Sequence, residues 1–259
     1  MIRKTFACTL LAGLVAAAVS AQSVDELIAK NLEARGGKDK IKAVKSVRMT
    51  GKMVLGQGME APFTLEMARP KKVRMEFTFQ GMTGIQAYDG TTGWMVMPFM
   101  GKKEPEQVAG DDLKNMDDQA DFEGPLVDYK DKGHQVELVG KADVEGTPAY
   151  KLKVTKKNGD VQYIYLDAEQ YLELKAEGKQ KVRGQEMEGE TTLGDYKAVN
   201  GLLFPFSIHS KPKDAPPGAG MTMTIDKIEL NADVAASRFD MPKVEKPTAA
   251  PTPPKPPQL

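Results

Sequence analysis

The chain has 259 residues, 36 basic and 36 acidic side chains, two histidines and one cysteine. This balance offers no electrostatic case for a nucleic-acid partner. The lone Cys8 falls in the N-terminal apolar segment, so a chain processed there has no disulfide or thiolate-metal site.

Met1 to Lys4 form a short basic start, Thr5 to Val19 an apolar run of small residues, and Val19-Ser20-Ala21 the small residues that a signal peptidase needs. The run is too short to span a bilayer. Residues 1–21 are therefore expected to be a secretion signal cleaved after Ala21, giving an exported protein that begins at Gln22. Removal of Arg3 and Lys4 leaves 34 basic against 36 acidic residues. Cys8 has too little apolar chain before it to serve as a lipid-attachment site. The remaining roughly 220 structured residues suffice for one β-rich domain with a real core.

Ser23, with Glu26 three residues on, predicts an N-capped helix through Glu33, with Val24, Leu27, Ile28 and Leu32 as its apolar stripe and Gly36-Gly37 at its end. A second short turn runs from Lys38 to Val44. From Val47 the period changes to two. Val47, Met49, Met53 and Leu55 share one strand face, followed by Phe63, Leu65 and Met67 and then by Val73, Met75, Phe77 and Phe79. Such alternation marks antiparallel strands with one buried face. Strands at Ile85–Tyr88 and Gly93–Met97 join through Asp89-Gly90.

From Lys103 to Asp131 the alternation stops. Eight acids lie between Glu104 and Glu123, Pro105 suits a first helical turn, and Gly124-Pro125 precedes a second short helix at Leu126–Lys130. Strands resume at Gln135–Val139, Ala149–Lys156, Asp160–Asp167, Tyr171–Glu177, Lys181–Lys197 with a possible break near Gly189, Leu203–Ser210 and Met221–Leu230. Turns are expected at Asn158-Gly159, Glu177-Gly178 and Asn200-Gly201. The fold class is mainly β with helices, a curled antiparallel meander of about ten or eleven strands. Seven prolines among the last eighteen residues make 243–259 a solvated, polyproline-like tail.

Catalytic chemistry finds no support in any motif. His134 and His209 lack a second ligand at metal-binding spacing, no serine sits in a nucleophile elbow, and no phosphate loop is present. Asp111-Asp112 and Asp117-Asp118 lack the glycine spacing of a calcium loop and read as a solvated helix face. No cofactor or metal is expected. Met49, Met53, Met67, Met75, Met221 and Met223 fall on inward faces by parity. Flexible thioethers suit a cavity for flexible chains, although composition alone favours an ordinary core.

A specific set of residues points further. Arg69-Pro70 joins two strands, and Tyr88-Asp89-Gly90-Thr91-Thr92-Gly93-Trp94-Met95-Val96-Met97-Pro98-Phe99 precedes the insertion at 103–131. Phe239-Asp240-Met241-Pro242 closes the domain. This order resembles the outer-membrane lipoprotein-sorting proteins, the group of the LolA-type periplasmic carriers, across about Ser23 to Pro242. The resemblance implies an incomplete antiparallel barrel around an apolar cavity, within a domain spanning 22–242. The N-terminal helix and the insertion would form its lid. It implies a periplasmic, monomeric, non-enzymatic carrier of lipoprotein acyl chains or another lipid, with transient inner- and outer-membrane protein partners. Arg69 would latch the lid. The cavity would be lined by the six methionines above with Leu65, Phe77, Phe79, Trp94, Val96 and Phe99. A binder of a free lipid or quinone, and an accessory envelope protein with a packed core, are the other readings.

Overall fold

A computed structural model describes residues 23–243 apart from Gln57, Arg183 and Pro217. The expected signal (1–21) and nearly all of the proline-rich tail lie outside the described residues.

Helix α1 (Val24–Ala34) begins as the sequence predicts: the Ser23 hydroxyl accepts from the Glu26 amide (3.2 Å) and the Glu26 carboxylate accepts from the Ser23 amide (2.9 Å). Leu27, Ile28 and Leu32 are buried. Helix α2 (Lys38–Ala43) follows and buries Ile41.

One antiparallel sheet then occupies most of the chain. Its first half contains β1 (Ser46–Leu55), β2 (Met59–Ala68), β3 (Lys72–Phe79), β4 (Met82–Tyr88), β5 (Gly93–Met97) and β6 (Lys102–Val108). Its second half contains β7 (Gln135–Val144), β8 (Thr147–Thr155), β9 (Val161–Asp167), β10 (Glu173–Val182), β11 (Gln185–Val199), β12 (Leu202–Pro212) and β13 (Met221–Leu230). The strand order is β6-β5-β4-β3-β2-β1-β13-β12-β11-β10-β9-β8-β7. Each half is a meander, and the pairing of β1 with β13 joins them in the middle. The edges β6 and β7 do not pair with each other, so the barrel is incomplete. The segment between them, which carries α3 (Gly110–Gln119), crosses the concave face. No described helix is long and apolar enough to cross a membrane.

Three local readings change. The sheet has thirteen strands, and one of them, β6, replaces the start of the expected helical insertion. Lys102–Val108 pairs with β5, and Pro105 is tolerated because an edge strand has amides with no ladder partner. Leu126–Lys130 forms turns rather than a helix, with Leu126 and Val127 buried in the core. Glu177-Gly178 is not a turn but lies within β10, where Gly178 pairs with Gly189 of an unbroken β11. The reversal comes later, at Gly184 (φ 80°).

Candidate functional site: a strapped concave cleft

Cross-strand register identifies the concave face. Val47, Met67, Val73, Tyr88 and Gly93 form one row across five strands. A Cβ on Gly93 would meet Leu113 and Met116 of α3 at 2.8 Å, so this row faces the helix. By the same register Met49, Met53, Leu65, Met67, Met75, Phe77 and Phe79 face inward, as do Met221 and Met223, the partners of Leu55 and Met53. Phe99, in the 3-10 turn Pro98–Met100, packs its ring 5.5 Å from Phe77 and 6.4 Å from Phe79. Met53, Met67 and Met223 are buried, whereas Met49, Leu65, Met75, Phe77, Phe79, Phe99 and Met221 are half-buried.

Trp94 and Val96 depart from the expected lining. They pair with Ala87 and Ile85 and take the opposite, convex face. Trp94 is buried because the C-terminal segment covers it. Its indole N–H donates to the Phe239 carbonyl (2.8 Å), and the Arg74 guanidinium lies 5.4 Å from its ring. Beside it, buried Glu66 takes hydrogen bonds from Arg48 (2.9 Å) and Arg238. The convex face therefore has its own small core, which strand alternation alone does not reveal.

One end of the concave face is sealed. Leu27, Ile28 and Leu32 of α1, Ile41 of α2, Leu126 and Val127 pack on Leu152, Val154, Ile164, Leu166, Phe206, Ile225 and Ile228. Arg69 ties this layer to the sheet: its Nε donates to the Val44 carbonyl (2.7 Å) and its Nη2 to the Ile41 carbonyl (3.3 Å). The same guanidinium pairs with Glu123 and lies 5.1 Å from the Phe122 ring. Arg35 donates to the Glu123 carbonyl (3.1 Å). Lys38 and Lys42 pair with Asp128, and their hydrogen bonds hold its carboxyl below the usual carboxylate range. Asp25 of α1 accepts from Tyr129 (2.7 Å) and Lys130 (2.9 Å). The space left beside Arg35, Ile41 and Phe122 is about 10 Å³, room for no more than a water molecule.

The other end is open. Between α3 and strands β9–β13 lies a cleft of about 1090 Å³, around the upper limit of roughly 1,000 Å³ for small-molecule sites. Gln162, Ala176, Gly178, Gly189, Thr191, Ser210 and Met221 contribute to its floor, and Asp111, Lys114, Asn115, Asp118 and Gln119 to its α3 side. Of the residues expected to line a cavity, Met221 borders this cleft directly; the half-buried methionines and phenylalanines form the neighbouring wall on β1–β5.

Helix α3 acts as a strap. On one side Met116 and Ala120 are buried against Met67, Val73 and Tyr88. Asp117 accepts from Lys71 (2.8 Å) and from the Tyr88 hydroxyl (3.0 Å). Burial, then the Asp117 hydrogen bond, pushes the Tyr88 phenol up to about 12. On the other side Lys114 pairs with Asp160 (2.7 Å), Lys156 with Asp118 (2.9 Å), and the Asn115 amide donates to the Lys181 carbonyl (2.9 Å). Asp117 and Asp118, read from the sequence as a solvated face, thus anchor the strap. The signal that could have found them is the apolar spacing Leu113, Met116 and Ala120 within the acidic run.

The histidines are held by local contacts. His134 Nδ1 accepts from the Lys157 amide (3.1 Å), with burial, then Lys132 and Lys156, lowering its pKa; His209 Nδ1 lies 2.9 Å from the Thr222 hydroxyl. Among the described residues no group of three or more His, Cys, Asp or Glu side chains could hold a metal ion.

No family model matches the chain, and no curated protein matches it in sequence. Solved structures do match its shape. A domain from Vibrio parahaemolyticus, named for outer-membrane lipoprotein sorting, superposes with a TM-score of 0.54 at 12% identity, covering 82% of this chain and 97% of that one. A LolA superfamily protein from Nitrosomonas europaea gives 0.55 at 12% identity, over 85% and 98%. A DUF1329 family protein from Desulfovibrio piger gives 0.55 at 13%, over 84% and 97%. At these identities the likeness is one of architecture: the chain has the LolA-like fold, an open antiparallel sheet curled around a concave face.

Proposed function

We propose that this protein is a periplasmic, non-enzymatic lipid carrier that encloses acyl chains between its concave sheet and α3, with lipoprotein acyl chains bound for the outer membrane as the cargo. The observation that carries this reading is the strapped cleft of about 1090 Å³ beside a half-buried wall of methionine and phenylalanine. The names of two fold neighbours, one for lipoprotein sorting and one for the LolA superfamily, agree with it.

Energetics favour enclosure without catalysis. Each methylene removed from water contributes about 0.8 kcal/mol, so one long acyl chain carries on the order of 10 kcal/mol and cannot be moved through water uncovered. Release requires a cleft not much better than a membrane, and a strap that opens readily. The Asp117 contacts to Lys71 and Tyr88 on the β3–β4 side offset the Asn115 hydrogen bond and the Lys114–Asp160 and Lys156–Asp118 pairs on the β9–β10 side, where each pair contributes at most about 1 kcal/mol. Buried Met116 on the opposite side contributes about 1.5–3 kcal/mol by burial alone. The strap therefore lifts from β9 and β10 and hinges on β3 and β4. Joining Asn115→Cys to Lys181→Cys with a short bifunctional reagent should block uptake and release.

The half-polar cleft favours an amphiphile over a wholly apolar ligand, which keeps a free lipid as a second reading. Native mass spectrometry with lipid extraction decides between them. Co-purified triacylated lipoprotein or its peptide supports the lipoprotein cargo, and another lipid supports the second reading. A bare protein mass, with no uptake of a fluorescent acyl-chain probe, would overturn both. Ala176→Phe, which projects a ring from the cleft floor, should cut probe capacity several-fold.

A further inference from the structure

We infer that the open rim of the sheet docks on a phospholipid bilayer, so that cargo passes between cleft and membrane without crossing water. The inference rests on the lipid-carrier reading and adds a surface to it. Five large hydrophobic residues stand exposed among the described residues, and four belong to one rim: Met100 (59%), Met59 (47%), Met187 (41%) and Met82 (36%).

Register places them together. β1, β3 and β5 run towards this end, and Met59 and Met82 open the strands that return from it. Met221 pairs with Leu55, and Gln185 with Val182, which sets the ends of β13, β10 and β11 at the same rim. Half-buried Phe79 and Phe99 lie just inside, and Met187 and Met221 border the cleft itself. The apolar tips thus ring the mouth through which cargo would pass.

The chemistry matches the acyl–headgroup boundary more closely than a protein partner. The methionines come from four separate hairpins or connections, and flexible thioethers adapt to a fluid surface. Ammonium groups flank two of them: Lys102 and Lys103 follow Met100, and Lys179 and Lys181 precede Met187. Glu186 and Glu188 are paired with Lys179 (2.7 Å) and Lys213 (3.0 Å), and Lys102 with Glu106 (2.6 Å). Lys181 stands opposite Glu186 and interacts with its carboxylate, whereas Lys103 is exposed and has no carboxylate partner among the described residues, which leaves it to meet lipid phosphates. Glu60, Glu104 and Asp214 keep the net charge of the rim low. The apolar tips therefore supply the attraction, and Lys103 adds to it.

Flotation of the purified mature protein with phosphatidylethanolamine–phosphatidylglycerol vesicles tests this. Wild type should float. A variant carrying Met59→Gln, Met82→Gln and Met100→Gln, which leaves charge unchanged and spares the cleft-bordering Met187, should lose at least about tenfold in partitioning. Lys103→Gln should lose about fivefold, the contribution of one lysine at an anionic surface. Uptake of a soluble acyl-chain probe without vesicles should survive in both variants, which separates the rim from the cleft. Met100→Trp should shift to the blue on adding vesicles, against a constant signal from buried Trp94. Equal flotation of wild type and the methionine variant, no flotation of either, or an unmoved Met100→Trp emission would each overturn the proposal. Self-association lost in the methionine variant, without vesicle binding, would assign the rim to a second copy instead.

Discussion

The two ends of the concave face are made from the same strands and the same alternation, yet one is solid and the other hollow. At the sealed end α1, α2 and the turn at Leu126–Val127 supply large apolar side chains that fill the curl of the sheet, and Arg69, Asp128 and Asp25 fasten them. At the open end α3 reaches β9 and β10 through polar contacts at its margin, and the opposing floor offers Ala176, Gly178, Gly189, Thr191 and Ser210. Short side chains on adjacent strands leave volume that a helix rich in Asp, Lys and Asn does not fill. A binding cleft and a hydrophobic core thus differ here in what is laid across the sheet.

The contrast should show most clearly in stability. Leu27→Ala at the sealed end removes a fully buried side chain and should cost about 3 kcal/mol in chemical denaturation. Met75→Ala in the half-buried wall should cost about 1 kcal/mol or less, because solvent or a neighbouring side chain can occupy the vacated space. Equal costs at both sites would show that the two ends are packed alike.

Arg69→Leu comes next. It strips hydrogen bonds from the Val44 and Ile41 carbonyls and leaves Glu123 with only the more distant Lys132 (3.8 Å). Arg69 is about one-third exposed, which limits the loss to about 1–2 kcal/mol. Its larger consequence should be a changed rate of probe release. Unchanged release would show that the latch belongs to the sealed end alone and does not bear on the cleft.

A smaller effect should appear with pH. Asp128 has its pKa lowered in the folded state by Lys38 and Lys42, so its contribution is present above the ordinary carboxylate value and is lost as pH falls through the depressed one. Below about pH 4 hydrogen exchange in α2 should quicken. Asp128→Asn should show fast exchange at neutral pH already and respond less to acid. Because both lysines are about half exposed, the contribution should be no more than about 1 kcal/mol.

Much of this architecture was legible from local chemistry. The Ser23–Glu26 capping box, the alternation through β1–β3 and the turns at Asp89-Gly90, Asn158-Gly159 and Asn200-Gly201 depend on neighbours in the chain, and each is found where its residues suggest. Arg69 was legible as a residue of interest through resemblance, but its partners come from two other parts of the chain, Ile41 and Val44 from α2 and its C-cap and Glu123 from the segment after α3. The acidic segment was the least legible part. Lys102–Val108 has weak strand character and becomes β6 because β5 offers it a free edge. Asp117 and Asp118 become anchors because Lys71, Tyr88 and Lys156 lie across the gap.

By itself the sequence determined a capped helix, a long antiparallel meander and an interrupted middle, because helix caps, turn residues and period-two alternation act over a few residues. Tertiary structure decided which face is covered, by what, and how completely. Alternation divides Gly93 from Trp94 but does not say that α3 will lie over one and Phe239 over the other. The covering segments come from far along the chain, and their side-chain volumes determine whether a curled sheet encloses a core or a cleft.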